Sequence, residues 1–192
     1  MKSMKAIDCK SSVLGCLLAV ALSLSSCGGG EAVQFKDTSL KAKVCEALGK
    51  PAGAFLGGSD MTLLENLTAE EAGITDLTGL ELATNLTELR LSGNEIGNVF
   101  LLGQLTKLTR LDLAGNKISN VASLAQLTNL THLDLSDNRI VDVAPLKKLT
   151  RLTELNLSKN QIAEARRAML KKALPNCSIN YDEHEAIIEL VP

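Results

Sequence analysis

The sequence is poor in aromatic residues and has little net charge. Its 192 residues include no tryptophan, one tyrosine and three phenylalanines. Trp and Tyr, with Arg, usually anchor protein interfaces, so few aromatic anchors are available to any binding surface of this chain. The formal net charge is −2, which gives no sign of the basic face that a nucleic-acid binder needs. We therefore expect no nucleic-acid partner.

Sequence signatures of common enzyme chemistry are also missing. The chain has no G-x-S-x-G, no H-E-x-x-H, no P-loop and no dinucleotide-binding fingerprint. The stretch Asp182-Glu183-His184-Glu185 lacks the spacing and the second histidine of a closed metal site, so we interpret it as a solvated acidic tail. We expect a protein that is not an enzyme and that uses no cofactor and no metal.

No hydrophobic run is long enough to span a bilayer. The apolar run at residues 13–24 follows three lysines and has the length of a secretory signal peptide. It ends in Leu24-Ser25-Ser26-Cys27, which resembles the lipobox of bacterial lipoproteins. The resemblance implies cleavage after residue 26 and attachment of acyl chains such as palmitate through Cys27. An ordinary cleaved signal peptide is the alternative.

A lipidated Cys27 determines where the protein is expected to reside. Residues 1–26 are then removed, and residues 27–36 form the lipidated cysteine and a flexible tether. Two or more acyl chains anchor a protein stably without crossing the membrane, so we expect membrane contact through the lipid anchor only. Because Gly28 and not an acidic residue follows the cysteine, the expected location is the outer membrane or cell surface if the organism is Gram-negative.

One 22-residue pattern occurs four times between residues 86 and 162. It reads LTELRLSGNEI, LTRLDLAGNKI, LTHLDLSDNRI and LTELNLSKNQI, starting at Leu86, Leu108, Leu130 and Leu152. The alternation of leucine with polar residues predicts a short strand with one buried face in each repeat. A single repeat cannot bury such a face alone, so the repeats must stack and their strands must form a parallel sheet.

Two polar columns of the repeat have structural interpretations. The first is an asparagine column that we expect to satisfy backbone groups where each strand ends, at Asn94, Asn116, Asn138 and Asn160. The second is expected to cap short turns on the opposite side, at Asp76, Asn98, Asn120 and Asp142. With about six residues available there, 3₁₀ turns fit better than full helices.

The array resembles the 22-residue repeat class of bacterial leucine-rich-repeat proteins, the internalin-like group. The implied fold is an α/β solenoid with a curved parallel sheet on its concave side, 3₁₀ or short turns on its convex side, and helical caps at both ends. We divide the chain accordingly into a helical N-terminal cap at 37–61, a degenerate first repeat at 62–85, the repeats at 86–162, and a C-terminal cap and tail at 163–192. Capping at both ends keeps the edges of a solenoid soluble.

Two cysteines remain if Cys27 is lipidated and the residues before it are removed. Cys45 lies in the N-terminal cap and Cys177 in the C-terminal cap. Five repeats spaced by about 4.8 Å separate the caps by on the order of 20 Å, too far for a disulfide. We predict that both thiols are free and buried.

Outward-facing strand residues define the candidate binding site on the concave face. The predicted partner-binding residues are Glu88, Arg90, Arg110, Asp112, His132, Asp134, Glu154 and Asn156. The resemblance to internalin-like repeats implies a protein partner, and we expect a monomer. A structural cell-envelope component with no specific ligand is the alternative. A remote third possibility is that Asp112 and Asp134, one strand spacing apart, share a proton or hold Ca²⁺.

Overall fold

The computed structural model describes residues 31–181. The predicted signal peptide, Cys27 and His184 lie outside these residues. The second half of the predicted tether is not free chain: Ala32 pairs with Gly57, the Val33 N–H donates to the Leu56 carbonyl at 2.9 Å, and Val33 and Phe35 pack against the core. Among the residues described, no helix combines the length and apolar character needed to cross a membrane.

The N-terminal end of the solenoid is closed by a helix, as predicted. Helix α1 is Thr38–Ala47, and Asp37 caps it by accepting hydrogen bonds from the backbone N–H groups of Ser39 at 2.9 Å and Leu40 at 3.1 Å. Its inner face is fully buried against the first repeat. The connection that follows α1 contains a short second helix, α2, at Gly58–Met61. Asp60 stabilises that turn by accepting a hydrogen bond from the Gly57 backbone at 2.9 Å.

Six parallel strands form one sheet in sequence order, which confirms the predicted fold class. The strands are β1 Asn66–Thr68, β2 Glu88–Arg90, β3 Arg110–Asp112, β4 His132–Asp134, β5 Glu154–Asn156 and β6 Ser178–Asn180. Each step from β1 to β5 pairs residues 22 apart, whereas Leu155 pairs with Ile179, 24 residues later. The two extra residues accommodate the C-terminal helix α3, Glu164–Ala173, which replaces the convex turn of the last repeat.

The convex side consists of four 3₁₀ turns, as the spacing predicts. These are η1 Leu80–Leu82, η2 Phe100–Gln104, η3 Ala122–Gln126 and η4 Ala144–Lys148. The polar residue before each turn accepts a hydrogen bond from the backbone N–H two residues ahead, for example Asn98 from Phe100 at 2.9 Å. A valine, however, directly precedes the turns η2 to η4. The polar residues therefore close a tight bend leading into the turn and do not occupy the cap position itself.

The asparagine column is a continuous hydrogen-bonded ladder, and its structural role is confirmed. Asn116 is only 7% exposed. Its Nδ2 donates to the carbonyl oxygens of Leu91 and Leu113, both at 3.0 Å, and its Oδ1 accepts from the Ile96 N–H at 3.0 Å. One side chain thus satisfies backbone groups of two adjacent repeats at the point where sheet pairing ends.

The two cysteines are free, and one of them differs from the prediction. Cys45 is fully buried in α1, as predicted. Cys177 is only partly buried, so the prediction of a buried thiol is wrong there. It directly precedes β6, the edge strand, where no further repeat stacks over it among the residues described.

Candidate functional site

The eight predicted site residues all line a single open concavity of about 500 Å³ on the concave face of the sheet. Strands β2 to β5 present them in two columns, because residues two apart on a strand point to the same side. The outer column pairs Glu88, Arg110, His132 and Glu154 in register. The inner column pairs Arg90, Asp112, Asp134 and Asn156 in register.

Two residues of the concavity were missed by the sequence analysis. Ser178 and Asn180 of β6 extend the outer and inner columns, respectively, by one strand. The available signal was the alternation of polar and apolar residues at 177–181, which is typical of one more strand. It was hard to align with the columns because β6 follows β5 by 24 residues and the repeat period is 22.

The inner column is a hydrogen-bonded side-chain ladder that runs from β6 to β4. Asn180 donates to Asn156 at 3.1 Å, and Asn156 donates to Asp134 at 3.0 Å. The other carboxylate oxygen of Asp134 accepts from the backbone N–H of Ser136 at 2.8 Å and from its hydroxyl at 2.6 Å. Both oxygens of Asp134 are therefore occupied, so this carboxylate is fixed in orientation.

Asp112 on β3 is paired in register with Asp134, at which this ladder ends. One of its oxygens accepts a hydrogen bond from the Ala114 N–H at 3.0 Å, and the other accepts none within residues 31–181. Burial raises the pKa of Asp112, and the negative charges of Asp134 and Glu70 raise it further, against the lowering effects of the Ala114 bond and Arg90. The carboxylate is thus half-buried and has one oxygen open to a donor.

The outer column contains one unpaired cation. Arg110 is exposed and makes no ion pair or hydrogen bond with the described part of the chain. Its neighbours along the column are engaged elsewhere: Glu88 pairs with Arg90, and His132 Nε2 lies 3.6 Å from Glu154 Oε1. The other ring nitrogen of His132 lies 2.9 Å from the Thr131 hydroxyl.

Arg90 is bonded to Glu88 and not to the aspartates of its column. Its guanidinium Nε and Nη2 lie 2.8 and 2.6 Å from Glu88 Oε1, two residues earlier on β2. This bond with Glu88 is the main reason that the pKa of Arg90 is raised. The side chains are 51% and 31% exposed, so the pair contributes little to stability. Because its guanidinium is bonded to Glu88, Arg90 acts on Asp112 only through its charge and forms no ion pair with it.

The site offers little support for catalysis or metal binding. Nowhere in residues 31–181 do three or more potential metal-ligating side chains cluster. Burial, followed by the nearby Glu154 charge, raises the pKa of the Cys177 thiol, which disfavours the reactive thiolate. The geometry instead suits recognition, because it presents fixed hydrogen-bonding groups and unpaired charges on a rigid sheet.

Comparison with known proteins defines the class. Residues 84–126 and 128–166 match the family model of leucine-rich repeats, in two copies. These segments cover less than half of the chain, and with the six-stranded parallel sheet they identify the fold as a leucine-rich-repeat solenoid. Such solenoids are generally binding scaffolds, and their curved sheets supply extended concave binding surfaces. No curated protein sequence matches the chain.

Solved structures of Listeria monocytogenes internalins share this fold. An internalin, InlF, is 22% identical with a TM-score of 0.67, and the match covers 78% of this chain and 52% of that one. The functional domain of InlJ, described as including a cysteine ladder, is 24% identical with a TM-score of 0.51. That match covers 82% of this chain and 45% of the InlJ chain. The chain thus spans about half the length of these structures. At this identity the likeness concerns the fold alone.

Proposed function

We propose that the protein is a membrane-anchored, extracytoplasmic module that binds another protein through the concave face of its sheet. The observation that carries this proposal is the pair of unsatisfied, oppositely charged side chains on β3, one of the two middle strands of the sheet. Arg110 has no partner within residues 31–181, and Asp112 has one open carboxylate oxygen. A partner that supplies a carboxylate and a donor would satisfy both groups.

Rigidity of the surroundings supports the proposal. The backbone beneath both residues is held by sheet pairing on each side and by the buried Leu111 between them. The asparagine ladder fixes the strand ends, so the charged groups are presented in a defined spacing. A preorganised surface loses less conformational entropy when it binds.

Anchoring is the second part of the proposal and rests on the sequence around Cys27. In this arrangement, the thiol of Cys27 carries the lipid, and the short segment before the Ala32–Gly57 pairing links it to a solenoid that lies outside the cytoplasmic membrane. The concave face is then available to other proteins of the envelope or of the exterior.

Capture from a detergent-solubilised envelope or host extract tests the binding function. The bait is the segment 28–192, which contains both caps and the whole described core. The test variant is Arg110→Glu, and the matched control is Arg139→Glu, an exposed arginine that does not line the concavity. Capture by the wild type and the control but not by Arg110→Glu supports the proposal. Equal capture by all three places binding elsewhere.

A further inference from the structure

Charge is distributed unevenly along the solenoid. Residues 31–100 contain eleven acidic and five basic side chains, whereas residues 101–181 contain six acidic and twelve basic ones. In a solenoid each repeat contacts only its neighbours, so position in the sequence corresponds to position along the axis. The N-terminal half is therefore net negative and the C-terminal half net positive, which the small total charge conceals.

Four lysines concentrate this positive charge at one end of the convex side. Lys147 and Lys148 end the turn η4, and Lys171 and Lys172 lie in the last turn of α3, which packs against η4. All four are exposed, and none forms an ion pair with any residue between 31 and 181. We call these four residues the basic corner.

Other cations nearby are engaged and hold the corner together. Arg166 donates to the Val141 carbonyl at 2.7 Å and lies 3.6 Å from Asp142, which fastens α3 to the loop before η4. Arg167 donates to the Ile162 carbonyl at 2.9 Å and stacks over the Tyr181 ring. The lysines of the basic corner are thus free on a rigid base.

A structural role explains only part of this arrangement. Lys171 and Lys172 near the end of α3 interact favourably with the helix dipole. The dipole of α3 does not explain why Lys147 and Lys148 are lysines, because they lie on the separate turn η4. Two lysines elsewhere do pair with carboxylates: Lys43 with Glu46 at 3.0 Å and Lys117 with Glu95 at 2.8 Å.

We propose that the basic corner docks the C-terminal end of the solenoid onto an anionic lipid surface. Lysine ammonium groups are compact, strongly hydrated point charges, and lysine is depleted from protein interfaces, where arginine and aromatic residues are preferred. Attraction of clustered lysines to anionic headgroups requires neither close packing nor a shaped partner. The chemistry of the corner therefore fits a membrane surface better than it fits a folded protein.

The dimensions permit this contact together with the predicted anchor. Six strands at about 4.8 Å span on the order of 25 Å. Ala32 pairs with Gly57, so only the five residues 27–31 can act as a tether, and they reach at most about 18 Å when extended. A solenoid that lies with its long axis along the membrane can therefore bring the basic corner to the surface that holds Cys27. Docking there would add a second membrane contact to the lipid anchor and hold the solenoid against the lipid surface.

Vesicle binding by the segment 28–192 tests the proposal without the anchor. Vesicles of phosphatidylcholine alone are compared with vesicles of equal amounts of phosphatidylcholine and phosphatidylglycerol. The variant Lys148→Glu/Lys172→Glu is compared with Lys36→Glu/Lys41→Glu, which causes the same change in net charge at the N-terminal end of the solenoid. Four acidic residues, Asp182, Glu183, Glu185 and Glu189, follow the described residues, so the native C terminus is kept and their charge is included.

We expect binding to the anionic vesicles only, weakened by added salt. Each lysine near an anionic surface contributes about fivefold in affinity, so the basic-corner variant should bind at least about tenfold more weakly, whereas the control stays close to wild type. Absence of binding to anionic vesicles, or equal loss in both variants, would overturn the proposal. Binding to a soluble polyanion such as polyglutamate but not to vesicles would also overturn it and assign the corner to an acidic protein. Circular dichroism confirms that each variant is folded.

Discussion

Arg110 and Asp112 face the same side of strand β3, carry opposite charges and form no ion pair with each other. On the preceding strand, Glu88 and Arg90 occupy the same two positions with the charges reversed and are bonded at 2.6 Å. The difference arises because Asp112 is held back by the Ala114 N–H in a tight turn at the strand end. The centre of the concave face therefore keeps two charges that the described part of the chain leaves unneutralised.

Replacing Asn116 with alanine should destabilise the solenoid. The change leaves the Leu91 and Leu113 carbonyls and the Ile96 N–H without their side-chain partner in a buried setting. We expect a loss of about 1–3 kcal/mol in the free energy of unfolding, measured by urea denaturation. Asn98→Ala, which removes one bond at an exposed bend, serves as the control and should cost less. An equal loss of unfolding free energy in the two variants would show that the asparagine ladder stabilises the fold no more than an exposed bend does.

Gly103 is predicted to tolerate no side chain. A Cβ atom there would lie 2.9 Å from the Ser123 carbonyl oxygen in the next convex turn. Gly103→Ala should therefore force the turns η2 and η3 apart and cost about 1–3 kcal/mol of stability. Gly97→Ala is the control, since the nearest atom to its added Cβ is 3.9 Å away. Thermal unfolding of both variants gives the comparison, and an unchanged melting temperature for Gly103→Ala would contradict the tight stacking.

Ionisation of Asp112 should destabilise the protein. A carboxyl whose folded pKa is raised favours the protonated form on folding, so its unfavourable contribution appears as the pH rises above the unfolded value of about 3.8. Asp112→Asn retains an oxygen for the Ala114 N–H and removes the charge. The variant should be more stable than wild type at pH 7, and this advantage should vanish near pH 3. An advantage independent of pH would show that charge is not its cause.

Lipidation is predicted to depend on Cys27 alone. In a bacterial host that processes lipoproteins, the wild-type chain should incorporate labelled palmitate and partition with membranes, whereas Cys27→Ser should do neither. Cys177→Ser is the control and should be labelled like wild type, because a lipobox-like sequence precedes only Cys27. If Cys27→Ser incorporated palmitate, or if the wild-type chain did not, the result would favour an ordinary cleaved signal peptide.

The 22-residue period made most of the fold predictable. Repeated leucines, the asparagine column and the short convex segment each follow from stacking similar units, so the strands, the asparagine ladder and the 3₁₀ turns are predictable from the sequence. The positions of residues that follow the last 22-residue repeat were harder to predict. Cys177 and Asn180 follow a helix that shifts the register to 24 residues, so the exposure of the first and the site position of the second were missed.

Which side chains of the concave face pair with each other could not be predicted from the sequence either. The columns identified which residues line the concavity, but not that Arg90 turns toward Glu88 or that Asp134 is saturated by Ser136 and Asn156. Such choices depend on side-chain rotamers and on differences of a fraction of a kcal/mol between competing partners. The uneven charge of the two halves was likewise hidden by the total of −2.

Capture by the segment 28–192 beside its Arg110→Glu and Arg139→Glu variants is the most direct test of the binding function. Reversing Arg110 places a negative charge beside Asp112 at the centre of the concavity, without disturbing any ion pair or hydrogen bond formed within residues 31–181. The account predicts a protein that is retained by the wild type and by Arg139→Glu and lost by Arg110→Glu, with all three melting at the same temperature. A partner retained equally by all three, or no partner at all, would contradict the concave face as the binding surface.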